Sequence, residues 1–193
     1  MRRGLLLAAA VLLIAPLAAR PLAAQQGVWV GPQAPLDSSR AALRDAVIRL
    51  RDSVSSVGAA AAALQRDFQR TSAQSLVSRA RALRDACSGA VATAPGTREV
   101  IAHTPMPDNT ARNRQAAAIA QLDSLTQVLQ ACMRDFEELS RPGQGERVRN
   151  YANERADRIQ PAAGRYHVAI KGLLDALQIE IRPRGAPANP LAG

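Results

Sequence analysis

The feature that most constrains this fold is a series of apolar residues that recurs at alternating steps of four and three positions. The first series consists of Leu43, Val47, Leu50, Val54, Val57, Ala61, Leu64 and Phe68. In an α-helix this heptad spacing places all of these side chains on one face, and that face must pack against another surface to leave water. The sequence therefore predicts a long amphipathic helix that packs against other helices.

Three further segments show the same spacing. Their apolar positions are Leu76, Ala80, Leu83, Cys87 and Val91, then Ala118, Leu122, Leu125, Leu129, Cys132, Phe136 and Leu139, and finally Ile159, Ala163, Tyr166, Ile170, Leu173 and Leu177. Aromatic residues make up only 3% of the chain, which disfavours sheet folds. We expect an all-α fold, an up-and-down bundle of three to four long amphipathic helices with flexible N- and C-terminal tails.

The bundle domain is expected to span residues 37–180, with residues 93–109 as a long loop. This loop segment contains three Pro and one Gly, which interrupt helices. Pro161 predicts a kink or a break in the last helix, which begins near Glu146 and ends near Gln178.

Residues 37–92 permit two interpretations. They can form one long kinked helix that begins at the capping residues Asp37-Ser38-Ser39. They can also form two helices that separate near Gly58 or at the capping-box pattern Thr71-x-x-Gln74. The pattern alone does not decide between them.

The N-terminus has the three parts of a secretory signal peptide. Arg2 and Arg3 form a basic start, an apolar run extends from Gly4 to Ala19, and small residues precede the polar Gln25. We expect residues 1–24 to be removed on export, which predicts a periplasmic or secreted protein without a transmembrane span after cleavage. Arg2-Arg3-Gly4-Leu5-Leu6 also fits a loose twin-arginine pattern, so that the general and the twin-arginine routes both stay open.

Two segments outside the heptad pattern are expected to be tails. Residues 25–36 hold two Gly, two Pro and the only Trp, and they predict a flexible N-terminal arm. The sharper alternative is that Val28-Trp29-Val30 forms a short apolar contact for a partner. Residues 181–193 are rich in Pro and predict a disordered tail.

The positive charge of the chain permits contact with an anionic surface, although such an excess of Arg beside so much Ala is more typical of a compositional bias than of a polyanion-binding site. The full chain carries +9, and removal of residues 1–24 leaves 22 basic against 16 acidic residues, a charge of +6. Export excludes genomic nucleic acid as a partner, whereas anionic lipid headgroups, envelope polymers or an envelope protein remain accessible. The sequence does not indicate the oligomeric state.

Cys87 and Cys132 fall on apolar stripes of two different helices, and an oxidising compartment favours a disulfide between them over two separate buried thiols. If the first of these helices ended near residue 92 and a tight antiparallel hairpin followed, Cys87 would lie roughly 25 Å from Cys132. A disulfide requires Cα atoms within about 7 Å. The sequence therefore predicts that the 93–109 loop runs back along the bundle and brings the two helices nearer to parallel.

No motif supports catalysis or a metal site. The chain contains no G-x-S-x-G, no Cys–His couple, no phosphate-binding Gly-rich loop, no C-x-x-C-H and no zinc-ligand spacing. We therefore expect a protein that is not an enzyme and that uses no cofactor and no metal. The function this favours is that of an exported helical bundle that acts through contacts with a protein or an envelope surface.

The alternative function is a periplasmic carrier of a small ligand, haem or a metal. Non-covalent haem needs only one or two axial ligands, and the side chains that could serve are His103, His167, Met106 and Met133. His167 and Tyr166, near the expected kink at Pro161, are the candidate ligand-binding residues. Glu99 and His103, four residues apart, are a weaker candidate for a two-ligand metal clip.

Overall fold

The computed structural model of the protein describes the backbone of residues 33–181 and the side chains of residues 38–151 and 158–181. It contains four α-helices, α1 (Gln33–Gln65), α2 (Ala73–His103), α3 (Asn109–Leu139) and α4 (Gly145–Ala176). Residues 33–181 contain no strand, and the predicted all-α helical bundle is confirmed. The expected signal peptide, the expected arm up to Pro32 and the expected tail beyond Ile181 lie outside the described residues.

Consecutive helices run antiparallel, because residues that contact one another follow opposite orders along the two helices. The contacting pairs are Ala46 with Thr97 and Ala63 with Arg79 between α1 and α2, Arg84 with Glu137 and Arg98 with Asp123 between α2 and α3, and Arg114 with Gly172 and Glu138 with Arg147 between α3 and α4. The fold is thus an up-and-down bundle with short connections.

The predicted apolar stripes form the core. All seven predicted positions of α3 are buried, and most positions of the other three stripes are buried with them. The predicted positions at the edge of the core, which are only half-buried, are Val54, Ala61, Val91 and Ala163. The heptad spacing therefore identified the inward face of every helix.

The prediction of a long loop over residues 93–109 is wrong. Helix α2 continues to His103 with Pro95 inside it, and only residues 104–108 connect α2 to α3. Pro95 is exposed, so its ring lies on the water-facing side, while the buried stripe continues through Ala94, Thr97 and Ile101. The packing of this stripe outweighs the cost of a helical proline, about 3 kcal/mol.

The prediction that the two cysteine-bearing helices are nearer to parallel is also wrong. It assumed that the helix ends near residue 92. Helix α2 in fact continues to His103, so the turn of the α2–α3 hairpin lies further along the chain than assumed. In the observed antiparallel register Cys87 lies opposite Cys132, with 6.3 Å between their Cα atoms. The disulfide therefore needs no loop that runs back along the bundle.

Residues 37–92 belong to two helices, which settles the choice that the sequence left open. Helix α1 ends at Gln65, so that Gly58 is an internal helical residue, and α2 begins at Ala73. The N-cap of α2 is Ser72, whose Oγ accepts a hydrogen bond from the Ser75 N–H at 3.3 Å. The cap thus lies one residue after the Thr71 of the predicted capping box.

Two smaller boundaries also differ from expectation. Helix α1 already begins at Gln33, so the last four residues of the expected arm over 25–36 are helical. Helix α4 continues through Pro161 and is not split there. Pro161 is exposed, as Pro95 is, and its ring does not disturb the buried face.

Candidate ligand-binding groove

The bundle is least closed between its first and last helices. Consecutive helices pack along their lengths, whereas the contact between α1 and α4 is much smaller. A groove of about 670 Å³ lies along this seam. Small-molecule sites occupy roughly 300–1,000 Å³ and occur between the helices of bundles, so this seam has the size and place of a binding site.

Helices α1 and α4 and the segment after α4 build the walls of the groove. Its apolar lining residues are Val47, Val54, Ala163, Tyr166, Ile170, Leu174, Ile179 and Ile181. Many of these residues lie on or beside the apolar stripes of α1 and α4. Because the two helices do not pack closely against each other, the edges of these stripes form the surface of the groove. The groove therefore offers an elongated apolar surface.

Cationic side chains line the same groove. Arg51 donates from Nη2 to Asp52 at 3.2 Å, and Lys171 donates from Nζ to Asp175 at 2.7 Å. The Arg51–Asp52 pair is half-buried and the Lys171–Asp175 pair is exposed, and ion pairs near the surface contribute little to stability. His167 also lines the groove and is exposed. The acidic side chains of Asp175 and Glu180 line the groove as well, so the seam combines an apolar surface with balanced positive and negative charges.

Tyr166 is the unusual group in this groove. Its side chain is 5% exposed, and its hydroxyl has no hydrogen-bond partner in the described part of the chain. Burial raises the pKa of this phenol above its ordinary value, which already lies well above physiological pH, so the group is protonated. A buried hydroxyl without a partner costs about 1–3 kcal/mol, and such groups call for an explanation.

The structure brings together some of the candidate residues and separates others. Tyr166 and His167 line the same groove, whereas His103, Met106 and Met133 do not line it. The Nδ1 of His103 lies 2.9 Å from the backbone oxygen of Glu99, and the described side chains contain no group of three or more potential metal ligands. The sequence did not identify the α1 half of the groove, Val47, Arg51 and Val54, because heptad spacing does not show which helices are neighbours.

Two smaller clefts accompany the groove. One of about 170 Å³ lies between α3 and α4 beside Cys132, and one of about 340 Å³ lies near Leu139 and Tyr151. Both are smaller than the α1–α4 groove, and the latter is lined by the Arg147–Glu138 pair, in which Arg147 lowers the pKa of Glu138. A paired, exposed carboxylate of this kind is a solvated surface feature.

The disulfide predicted from the sequence is present between Cys87 and Cys132. Both cysteines are buried and belong to the core, at the interface of α2 and α3. The cross-link therefore joins the central hairpin of the bundle and lies apart from the α1–α4 groove.

Comparison of the chain with protein-family models, with curated proteins and with solved structures finds no match. None of the helices within the described ranges combines the length and the apolar character that crossing a membrane requires.

Replacement of Tyr166 by phenylalanine tests the cost of the buried hydroxyl. Because the change removes a polar group that lacks a partner and keeps the ring, we expect Tyr166→Phe to raise the free energy of unfolding by about 1 kcal/mol. Urea denaturation followed by circular dichroism measures this change. A loss of stability would show that the hydroxyl has a partner in the folded protein; Tyr151→Phe, at a half-buried tyrosine outside the groove, is the matched control.

Proposed function

We propose that the protein is exported and acts without catalysis, as a carrier that holds a small amphiphilic ligand in the α1–α4 groove. The observation that carries this proposal is the groove itself, an apolar seam of about 670 Å³ between α1 and α4 that the buried ring of Tyr166 helps to line. Both candidate ligand-binding residues from the sequence, Tyr166 and His167, line it.

Export is supported by two features of the chain. The first is the basic, apolar and small-residue order of residues 1–24. The second is the buried disulfide, since such bonds form and persist in oxidising compartments. A periplasmic or secreted location follows from the proposal.

A carrier function is also consistent with the chemistry of the groove. The groove is lined mainly by apolar side chains, its charged residues include both Arg51 and Lys171 and Asp175 and Glu180, and burial raises the pKa of the Tyr166 phenol. Binding therefore requires only contacts and desolvation, with no reacting group.

Filling the groove tests this function. Gly164 lines the groove, is exposed, and has no heavy atom within 4 Å of the place where a Cβ would lie. Leucine is a better helix former than glycine, so Gly164→Leu should fold as well as the native protein while its side chain enters the groove. We expect the variant to lose at least tenfold in affinity for an apolar fluorescent probe such as anilinonaphthalene sulfonate, measured by titration.

The matched control is Gly89→Leu. Gly89 is an exposed helical glycine of α2, also without neighbours within 4 Å of a Cβ, and it does not line the groove. Equal probe binding by the native protein and both variants would place the probe elsewhere and refute the carrier function of this groove.

The contact function predicted from the sequence is the second candidate, and one observation favours it. Val168 on α4 is 71% exposed, which is unusual for a large apolar side chain in this fold. A partner protein that binds at this position would bury Val168 together with the neighbouring surface of α4. Cross-linking of the exported protein in its own envelope distinguishes a stable protein partner from a small ligand.

A further inference from the structure

The shape of the groove favours a narrow, extended occupant. On α4 its lining residues run from Gln160 to Asp175, a distance of about 22 Å along the helix axis. A volume of about 670 Å³ spread over this length gives a mean cross-section of about 30 Å². An α-helix about 10–12 Å wide has a cross-section of roughly 80–110 Å². The groove therefore suits a single extended chain and not a helix of a partner protein.

The charged side chains of the groove balance one another. Arg51 donates to Asp52 at 3.2 Å. Lys171 donates to Asp175 at 2.7 Å, and Asp175 and Glu180 both line the groove, so that two acids offset the two cations of the lining. A charged ligand would gain a partner only by breaking one of these pairs, and it would lose part of its own hydration. The electrostatics of the groove therefore favour a ligand without charge.

Uncharged polar side chains line one end of the groove. Ser55 is the last lining residue of α1 and Gln160 is the first of α4, and the two helices run antiparallel, so both lie at the same end. Both side chains are exposed. A hydroxyl and an amide each donate and accept hydrogen bonds without carrying a charge. This end of the groove therefore suits an uncharged, hydroxylated head group.

We infer that the ligand is an uncharged single-chain lipid with a hydroxylated head group, such as a monoacylglycerol. Its chain lies along the apolar wall of the groove, and its head group lies at the end marked by Ser55 and Gln160. This inference rests on the proposed carrier function and adds the chemistry of the ligand. A free fatty acid has the same chain, but its carboxylate meets Arg51 and Lys171 already paired with acids.

The first test compares two fluorescent probes that share one ring system. N-phenyl-1-naphthylamine is uncharged, and anilinonaphthalene sulfonate adds a single negative charge. We expect the uncharged probe to bind at least about fivefold more tightly. The affinity for the sulfonate should change less than about twofold between low and high salt, because the lining carries balanced charges. A steep loss of sulfonate affinity with salt would identify an anion-binding groove and overturn the inference.

A change of one charge in the lining provides the second test. Asp175→Asn removes the partner of Lys171 and leaves the lining with a net positive charge. The affinity for the sulfonate should rise about three- to fivefold and become dependent on salt. The matched control is Asp85→Asn, at an exposed α2 carboxylate that is paired with Arg84 and does not line the groove. An equal effect of both variants, or no effect of Asp175→Asn, would overturn the role of charge balance.

Competition between lipids separates this inference from the carrier function. Monolauroyl glycerol and laurate, each below the concentration at which it forms micelles, compete with bound N-phenyl-1-naphthylamine. We expect the monoacylglycerol to displace the probe at a concentration about fivefold lower than laurate does. Equal or better displacement by laurate would overturn the uncharged ligand, and the carrier function would stand if Gly164→Leu still weakens probe binding. If Gly164→Leu weakens the binding of neither probe, both proposals fall.

Discussion

Replacement of both Cys87 and Cys132 by alanine should lower the free energy of unfolding by about 4 kcal/mol, because the cross-link closes a loop with a sequence separation of 45 residues. For a chain of this length such a loss corresponds to a decrease in melting temperature of roughly 8–16 °C. Thermal denaturation followed by circular dichroism measures it. The helix content at 20 °C should remain close to that of the native protein, because the α2–α3 interface also contains the buried Leu83 and Leu129.

Reduction provides the control for this prediction. Dithiothreitol should lower the melting temperature of the native protein toward that of the double variant and should leave the variant itself unchanged. Free thiols in the unreduced protein, detected by alkylation, would contradict both the cross-link and the oxidising compartment proposed from it.

Gly145→Ala should lower the free energy of unfolding by about 3 kcal/mol through overpacking. Gly145 begins α4, and a Cβ at this position would lie 2.5 Å from the backbone oxygen and the Cβ of Ala73 and 2.6 Å from its Cα. Backbone atoms cannot rotate away as a flexible side chain can, so α2 and α4 would have to separate at their N-termini. Arg149 ties the same junction together by donating to the backbone oxygen of Thr71 at 2.9 Å.

Gly89→Ala is the matched control for that change. Gly89 is a helical glycine with open space at the position of a Cβ, so alanine there should raise the free energy of unfolding by about 0.5–1 kcal/mol through helix propensity alone. Chemical denaturation of the two variants should therefore shift the midpoint in opposite directions. A stabilising Gly145→Ala would show that α2 and α4 do not approach closely at this point.

The sequence predicted the inward faces of the helices because burial follows the helical period directly. Each predicted position of α3, from Ala118 to Leu139, is buried, and the cysteines on two of the stripes form the predicted bond. Neither result required knowledge of the neighbouring helix. The period alone places these side chains on one face.

The helix boundary near Pro95 was not predicted, because the local cost of a proline in a helix competes with packing between helices that are far apart in sequence. Pro95 was expected to end a helix, yet Ala94, Thr97 and Ile101 continue the buried stripe past it. From the sequence, the cost of the proline is visible and the gain from packing against α1 and α3 is not. Because the helix was expected to end too early, the turn between the two cysteine-bearing helices was placed at the wrong position. The two helices were then expected to be nearer to parallel, whereas they are antiparallel.

Half of the candidate site could be predicted for a similar reason. His167 and Tyr166 attracted notice by residue type, whereas Arg51 is one of many arginines on mixed-charge helix surfaces. Its place in the groove depends on α1 and α4 being adjacent, which is a property of the folded bundle. The unpartnered hydroxyl of Tyr166 is likewise visible only in three dimensions.

The disulfide links the two central helices of the bundle covalently, whereas the first and the last helix have no such cross-link in the described part of the chain. Helices α2 and α3 are linked to each other, while α1 and α4, which face each other across the groove, are retained by side-chain contacts and short turns. Local opening in proteins begins where such retention is weakest. An outward swing of α1 or α4 would widen the groove beside Tyr166 and leave the central hairpin in place, so the groove can open without unfolding of the whole bundle.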